Sequence, residues 1–444
     1  MGAMLLNHLS RPNVRQHGVT IQGEAVVHGE HTLYFIAEAD DEDRLREFMQ
    51  PFRMVGTLDI YPASTCARGA TRGGCAGVMP LSELVSALDP AEACQQALDA
   101  GLVVHRAHPL NCETPIPALV GGVVMPNARF YLRNHFPMPD LESAAFQLAV
   151  GGLVERPLSL SVRDLHHMRS QTLVVTLECA GNGRALFQPP IEGEQWNVGA
   201  VSTAEWTGVP LVEVLDRAGV RSRAREVVFR GADGGTVDGH PDPVRFERSL
   251  TLDDARDENV LLAYAMNGEP LPVQHGYPLR LIVPGWYAVA SVKWLTEIEL
   301  LDRPFAGQYQ TATYWYEWTR DDRTVREPVR LQQVRALITE PRSAGEVPRG
   351  QTIIRGVAWS GAAAIARVEV SVNGGGWQDA RLVGERRRHG WQWWELIVHF
   401  EEPGAATVRA RATDLAGRIQ PERAEWNRLG YGNNAIQQVP IRIA

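Results

Sequence analysis

The chain has 444 residues, of which 44% are hydrophobic and 22% charged, as in globular proteins and unlike disordered or fibrous ones. A formal net charge of -8 argues against a nucleic-acid-binding protein, which usually presents a basic surface. Five cysteines are too few, and odd in number, for a disulfide scaffold. No apolar run approaches the roughly 20 residues that a membrane span needs, so we expect no transmembrane segment.

The first thirty residues lack a basic stretch followed by an apolar one. We therefore expect a cytoplasmic protein, or a periplasmic one if a leader has been removed. At roughly 100–200 residues per domain, the length predicts several domains.

Residues 1–100 are predicted to form a small α+β module, for which a ferredoxin-like fold is one candidate. Residues 31–39 form an apolar run typical of a buried strand. Asp40–Met49 has the acidic start and spaced apolar residues of a helix, and Gly56–Ser64 indicates another strand. Residues 81–100 predict a second helix. No function follows from this module.

Residues 101–328 are predicted to form a mixed α+β domain. The proline- and glycine-rich stretch 103–128 indicates an extended lead-in segment. Beyond it, Leu173–Leu177 and Leu279–Val283 are typical of buried strands, and Leu211–Ala218 of a helix.

Residues 329–444 change character, with short strand-like runs separated by glycine- and proline-containing turns. This spacing predicts an all-β, immunoglobulin-like sandwich. The predicted strands are Gln351–Trp359, Ala366–Val372, Trp391–Phe400 and Thr407–Asp414. The alternating Trp391, Trp393 and Trp394 are expected to pack in its core.

Cys179 ends an apolar strand and precedes a glycine-rich turn that leads to Arg184. Backbone N–H groups and a guanidinium there would favour a thiolate, which can bind a metal or act as a nucleophile. A buried, inert cysteine is the alternative. Arg133-Asn134-His135 could hold an anion, although a polar surface turn is the alternative.

His275, Arg280 and Lys293 would make a second anion cradle if they converge. Lys293 is the single lysine among 44 basic residues, the other 43 being arginines. An ammonium is a compact point charge that a guanidinium does not imitate.

Other metal or cofactor motifs are weak. His105, His108 and Cys112 are a possible metal cluster, and Cys66 and Cys75 a possible metal or redox pair, although unrelated thiols are favoured. No Cys-x-x-Cys-His motif attaches a c-type haem, and no Gly-x-Gly-x-x-Gly motif supports a dinucleotide site.

Several segments, taken in chain order from Pro109 to the C-terminus, resemble the sulfite oxidase family of molybdenum enzymes. Residues 337–444 are similar to the dimerisation domain of that family. The segments that carry the resemblance are 109–115, 133–135, 179–182, 199–208, 261–272, 275–280 and 292–295.

The resemblance implies that Cys179 ligates molybdenum beside the sulfurs of a molybdopterin. It places the substrate pocket at Arg133, Arg184, Trp196 and Tyr314. The cofactor-binding residues that it implies are Tyr131, Leu132, Arg133, Asn134, His135, Asp233, His275, Arg280, Ser291, Val292 and Lys293.

The chain departs from the family pattern near three of these positions. Tyr316 competes with Tyr314 for the role of active-site tyrosine, because the motif around them is not kept. Gly183 stands where animal enzymes carry an extra arginine. Leu429 occupies the column of a third anion-binding arginine, and Arg428 stands one place early. If this segment is a strand, the shift turns the arginine to the opposite face.

The implied activity is oxidation of sulfite to sulfate by oxygen-atom transfer in a homodimer. With no haem in this chain, electrons would pass to an external acceptor, for which a c-type cytochrome is a candidate, or directly to oxygen. The alternatives are nitrate or sulfoxide reduction on the same cofactor, and a non-catalytic scaffold.

Overall fold

The protein is described from a computed structural model. It describes residues 19–27, 32–39, 44–45, 48–50, 89–119, 122–320 and 323–444. The chain divides into two compact units, Met1–Pro80 and Leu81–Ala444. None of the helices described is long and apolar enough to cross a membrane.

The first unit contains an antiparallel pair, β1 (Val19–Val27) and β2 (Thr32–Ala39), which confirms the strand predicted at residues 31–39. Residues 44, 45 and 48 are helical, within the predicted helix. The predicted strand Gly56–Ser64 lies outside the described residues, as do Cys66 and Cys75. A ferredoxin-like arrangement therefore stays a prediction.

Helix α1 (Pro90–Asp99) forms the described part of the helix predicted at residues 81–100. The Asp89 side chain accepts the Ala91 N–H at 2.9 Å and so caps the helix, and Pro90 suits its first turn. Ala93 and Ala97 pack in a small apolar cluster with Leu110 and Leu132. The helix thus packs within the second unit, while the boundary at residue 100 stays a prediction.

The prediction of an extended segment at residues 103–128 is only partly correct. It contains a short hairpin of β3 (Val103–Arg106) and β4 (Asn111–Glu113), followed by 3-10 turns at Ile116–Leu119 and Asn127–Arg129. Proline favours such turns because it fixes φ near the value they need.

The next region is built on two sheets, a first that is mixed and a second that is antiparallel. One has the strand order β10-β9-β14-β5-β6 and the other β12-β11-β8-β7, with β13 paired to β11. The two predicted strands and the predicted helix in this region are confirmed. Its elements are β5 (Leu148–Gly152), β6 (Leu158–Leu160), α2 (Val162–His166), β7 (Gln171–Glu178), β8 (Val201–Pro210), α3 (Leu211–Ala218), β9 (Glu226–Gly235), β10 (Val244–Thr251), α4 (Leu252–Ala255), β11 (Leu261–Met266), β12 (Glu269–Pro270), β13 (Arg280–Ile282) and β14 (Leu295–Leu301).

The C-terminal part is a curled β-structure, which confirms the predicted immunoglobulin-like class. A hairpin of β15 and β16 precedes an eight-stranded sheet. Its strand order is β17-β19-β22-β21-β20-β23-β24-β18, and β21 pairs with both β20 and β22. The elements are β15 (Trp315–Arg320), β16 (Arg323–Pro328), β17 (Arg335–Glu340), β18 (Gly345–Val347), β19 (Gly350–Trp359), β20 (Ile365–Val372), β21 (Gln378–Val383), β22 (Gln392–Phe400), β23 (Gly404–Asp414) and β24 (Gln438–Ile443).

Tryptophans fill the core of this part, as predicted. Trp391 and Trp394 have no exposed surface, whereas Trp393 is half-buried and donates its indole N–H to Gly122 O at 2.8 Å. Trp394 packs directly over Gly356 of β19, where a Cβ would lie 2.5 Å from the indole and overlap the carbonyl oxygen of Leu337.

Gly356→Ala is expected to lower the free energy of unfolding by about 2–3 kcal/mol, because backbone and indole leave no room for the methyl group. The measurement is urea denaturation followed by tryptophan fluorescence. Gly376→Ala is the matched control, since a Cβ there meets nothing within 4 Å. Equal stability of the two variants would contradict this account of the core.

Candidate active site

Cys179 follows the last residue of β7, in a loop that neighbouring backbone holds tightly. Its N–H donates to Ala200 O at 2.9 Å, and its carbonyl accepts the Asn182 N–H at 2.9 Å. The loop then turns at Gly183, whose φ of +85° favours glycine. Burial raises the pKa of the Cys179 thiol, and the Arg133 guanidinium opposes this shift. The thiol therefore lies at a fixed, buried point.

A cavity of about 670 Å³ lies beside this thiol. It is walled by residues from the segment after β4, the end of β7, strands β9 and β10, and the loops around β13 and β15. The lining residues are Phe130, Tyr131, Leu132, Arg133, Asn134, His135, Leu177, Cys179, Ala180, Asp233, Phe246, Gln274, His275, Arg280, Ala288, Val289, Ser291, Lys293 and Tyr314.

The cavity wall includes ten of the eleven predicted cofactor-binding residues, and Val292 is the exception. Val292 has no exposed surface and packs in the core beneath the first mixed sheet. Convergence of side chains from six chain segments explains how the isolated anion-binding motifs of the sequence become one site.

Positive charge dominates one side of the cavity. Arg280 donates to His275 O at 2.8 Å and to Ser291 O at 3.2 Å, and its guanidinium lies 4.7 Å from the ring centre of Trp206. Burial lowers the pKa of Arg280 to about 10, so that it stays charged at neutral pH. Its buried Nε has no hydrogen-bond partner and is free to meet an added acceptor.

His275 stays neutral beside this arginine. Burial lowers the pKa of His275 to about 3. Its Nε2 lies 3.0 Å from the carbonyl oxygen of Asn127 and therefore carries the proton, which leaves Nδ1 as an acceptor.

Lys293 is held by polar groups of the same wall. Its ammonium donates to Asn134 Oδ1 and, at 3.1 Å, to Gln274 O. Burial and then Arg280 lower the pKa of Lys293 well below its usual range, while burial raises the pKa of Asp233 to about 7. Asp233 Oδ1 is buried without a partner. Lys293 and Asp233 could therefore bind a ligand that carries both hydrogen-bond acceptors and donors.

Arg133 and Tyr314 complete the wall nearest the thiol. Arg133 donates to Asn111 Oδ1 at 3.3 Å and to Asn134 O. Burial would lower the pKa of Arg133, but Tyr314 and Cys179 outweigh it and the pKa rises. Arg133 is thus a permanent cation beside Cys179.

The hydroxyl of Tyr314 lies 2.7 Å from His135 Nε2. Burial, followed by the nearby cations Arg133, Lys293 and Arg248, lowers the pKa of His135 well below its usual range. A neutral imidazole can accept the phenolic hydrogen bond at Nε2. Tyr314 lines the cavity and Tyr316 does not, so the geometry favours Tyr314 for the substrate-facing role.

Arg184 lies beside the cavity rather than in its wall. It is 7% exposed, donates to Glu194 O at 3.0 Å and to Leu429 O at 3.2 Å, and its guanidinium lies 5.2 Å from the ring centre of Tyr431. Trp196 also lies outside the wall. It has no exposed surface and meets the ring of His105 at 4.9 Å.

Residues 427–430 form a turn rather than the strand considered from the sequence, with the Gly430 N–H donating to Asn427 O at 3.0 Å. Arg428 nevertheless points away from the cavity, because it pairs with Glu317. Leu429 packs against the core of the first mixed sheet. The predicted loss of a third arginine from the pocket therefore fits the side-chain positions.

A buried ion pair ties the cysteine loop to the C-terminal part. Glu178 accepts from Arg335 at 3.3 Å, from Asn182 Nδ2 at 3.0 Å and from Trp359 Nε1 at 2.8 Å, and both charged side chains are 3% exposed. Asn433 adds a bond from its Nδ2 to Gly183 O at 2.9 Å. The sequence analysis missed Glu178 and Arg335, since a pair 157 residues apart leaves no local signal.

The alternative metal sites considered from the sequence are not formed in the described part of the chain. No group of three His, Cys, Asp or Glu side chains within it could hold a metal ion alone. His105 instead lies 3.2 Å from Glu113. A metal at Cys179 therefore needs other ligands besides the protein.

Comparison with known proteins places the chain in a family. A family model described as the oxidoreductase molybdopterin binding domain matches residues 135–309, and one described as the Mo-co oxidoreductase dimerisation domain matches residues 327–444. The chain is 35% identical over 363 residues to mitochondrial sulfite oxidase of Rattus norvegicus, covering 77% of this chain. The chain belongs to the sulfite oxidase family. It spans 66% of the length of the rat protein.

Other proteins similar to this chain carry different activities in their names. A nitrate reductase [NAD(P)H] of Hordeum vulgare is 33% identical over 378 residues, covering 76% of this chain and 41% of that protein. The crystal structure of the sulfane dehydrogenase SoxCD from Paracoccus pantotrophus matches with a TM-score of 0.65 and 29% identity, covering 74% of this chain and 83% of that one. This sulfite oxidase family member is therefore a molybdopterin-dependent oxidoreductase.

The cavity fits a molybdenum–molybdopterin cofactor. Cys179 supplies one soft sulfur donor, and a dithiolene would supply the others. Arg133, Arg280 and Lys293 have no carboxylate within ion-pair distance among the described residues, which suits a phosphate-bearing ligand. The unpartnered Arg280 Nε and Asp233 Oδ1 provide a donor and an acceptor for it.

Arg335→Met is expected to lower the free energy of unfolding by about 3–5 kcal/mol, because it leaves the Glu178 carboxylate buried without its counter-charge. Urea denaturation measures the loss. The double variant Glu178→Gln/Arg335→Met should recover part of it, since no buried charge remains. A double variant no more stable than the single one would show that the pair is not what holds the loop.

Proposed function

We propose that the protein oxidises sulfite to sulfate and passes the electrons to an external acceptor. The observation that carries this proposal is the wall in which the Cys179 thiol, the cationic Arg133 and the hydroxyl of Tyr314 converge. A small oxyanion beside that thiol would meet positive charge and a hydrogen-bond donor together. The similarity to rat sulfite oxidase supports the same substrate.

Arg133, in the cavity wall, would orient the sulfite dianion by charge-assisted hydrogen bonds, and Arg184 beside the wall would add positive charge that attracts it. Tyr314 would donate its hydroxyl hydrogen bond to a substrate oxygen, and the neutral His135, whose Nε2 lies 2.7 Å from that hydroxyl, would hold the phenol in position. Trp196 would pack behind the pocket and help to exclude water.

Cys179 would bind the molybdenum, and the wall around Arg280, Lys293 and Asp233 would hold the pterin and its phosphate. Tyr131, Leu132, Asn134, His135, His275, Ser291 and the adjacent Val292 would complete that contact. When bound, the cofactor supplies oxygen-atom transfer and accepts the two electrons. A c-type cytochrome is the proposed acceptor.

Cofactor-loaded protein should reduce ferricyanide or cytochrome c when sulfite is added, in a steady-state assay. Cys179→Ser should abolish turnover and lower the bound molybdenum, while the unfolding midpoint of the cofactor-free protein stays unchanged. Cys94→Ser is the matched control, because that thiol is free and lies on α1 away from the cavity wall.

The same protein should be tested with nitrate or a sulfoxide and a reduced dye. Nitrate turnover without sulfite turnover would replace the proposal with nitrate reduction, as the barley relative suggests. Full sulfite activity in Cys179→Ser would refute the assignment of the metal ligand.

We further propose that the protein is a homodimer through its C-terminal part. The match to a dimerisation domain supports this assembly. Ile353 of β19 and Ile397 of β22 lie directly opposite each other and are 40% and 59% exposed. Such a cross-strand apolar pair on an outer sheet face is suited to contact a second copy.

Sedimentation should therefore give twice the mass of one chain, and Ile397→Arg should shift the protein toward the monomer by placing a charge in the contact. Leu415→Arg, at a similarly exposed position of the same domain, is the control and should stay dimeric. A dimer that survives Ile397→Arg but not Leu415→Arg would move the contact elsewhere.

A further inference from the structure

Arg248 is a buried cation that neither the sequence motifs nor the proposed mechanism uses. It lies on β10, two residues after Phe246, so the two side chains share one face of the strand, and Phe246 lines the cavity. Arg248 is 3% exposed and donates to Tyr309 O, but its buried Nε has no partner. No carboxylate among the described residues lies within ion-pair distance of it.

Arg248 lies at one end of a column of four side chains, in the order Arg248, Tyr314, Tyr431 and Arg184. Its guanidinium lies 5.7 Å from the ring centre of Tyr314. Tyr314 stacks on Tyr431 with ring centres 5.0 Å apart, and the Arg184 guanidinium lies 5.2 Å from the ring of Tyr431. Two guanidiniums thus clamp a pair of stacked tyrosines, one of which faces the cavity.

The turn at residues 427–430 places no positive charge in the cavity. Arg428 is bound to Glu317 and 56% of its side chain is exposed, while the neutral Leu429 packs inward. Without Arg248, the cations near the oxyanion pocket would be Arg133 and Arg184. Burying an isolated guanidinium costs desolvation free energy, and an anion nearby would offset that cost.

We propose that Arg248 provides the third positive charge of the oxyanion pocket and acts through Tyr314, whose ring it holds in place. This inference rests on the proposed oxyanion substrate. Arg248 is a positioning residue rather than a catalytic one, since it lies behind the cavity wall. Its field would favour a dianion at the Tyr314 hydroxyl, because interactions in a buried site are weakly screened.

The test compares Arg248→Met and Arg248→Lys with the wild-type holoprotein. Sulfate, the dianionic product, serves as the probe, and its dissociation constant is measured by isothermal titration calorimetry. Arg248→Met should weaken sulfate binding by about tenfold, and Arg248→Lys should recover most of the loss because the charge returns. Arg223→Met is the control, since it removes one exposed guanidinium far from the cavity wall.

Steady-state kinetics give the second readout. The KM for sulfite should rise in Arg248→Met by a similar factor, while kcat changes by less than about threefold, because the residue acts on anion binding. A merely structural arginine would not be rescued by lysine, so equal defects in Arg248→Lys and Arg248→Met would overturn the inference. Sulfate affinity within twofold of wild type in Arg248→Met would overturn it as well.

The two proposals can fail separately. If the wild-type protein binds sulfate but does not oxidise sulfite, the proposed reaction fails, and the sulfate affinities still decide the role of Arg248. If sulfite is oxidised normally by Arg248→Met, the reaction stands and the inference fails. Should Arg248→Met not fold, Arg248→Gln takes its place in the same comparison.

Discussion

The buried contact between Glu178 and Arg335 is the interaction on which the site depends. Glu178 is the residue before Cys179. Its carboxylate accepts hydrogen bonds from Asn182 in the cysteine loop and from Arg335 and Trp359 in the C-terminal part. The loop that presents the thiol is therefore not a free appendage of β7. Its position is set jointly by a strand of the antiparallel sheet and by the β-structure that contains Arg335, 157 residues later in the chain. A domain named for dimerisation thus also fixes the loop that carries Cys179 in the cavity wall.

The second organising feature is positive charge that, among the described residues, has no carboxylate within ion-pair distance. Arg133, Arg280 and Lys293 surround the cavity, and burial pushes the pKa of Arg280 and Lys293 downward. Such a cluster is unfavourable in an empty protein and favourable around an anion. The folded cavity and its anionic contents are consequently linked, and the stability of this region should rise with every negative charge that it accommodates.

The sequence predicted the fold class of the two parts from Val103 to the C-terminus, but not the contacts between them. Strands such as β7 and helix α3 follow from local apolar patterns, and the ordered motifs around Arg133, Cys179 and Lys293 locate the cavity. Local patterns contain no information about Arg335 meeting Glu178. They also could not place Tyr431 between Arg184 and Tyr314, because that stack joins residues 247 positions apart. Trp196 and Val292 match family positions, yet their burial outside the wall depends on packing that a motif does not encode.

The single lysine has a consequence for the chemistry of the whole chain. Apart from the α-amino group, Lys293 is the one primary amine of the protein, and it lies in the cavity wall. Burial lowers the pKa of Lys293, which makes its amine easier to deprotonate and more nucleophilic than that of a surface lysine, whereas a bound phosphate would favour the ammonium form and cover it. Acylating reagents should therefore modify one site along the chain, and the extent of that modification reports how many molecules carry their cofactor.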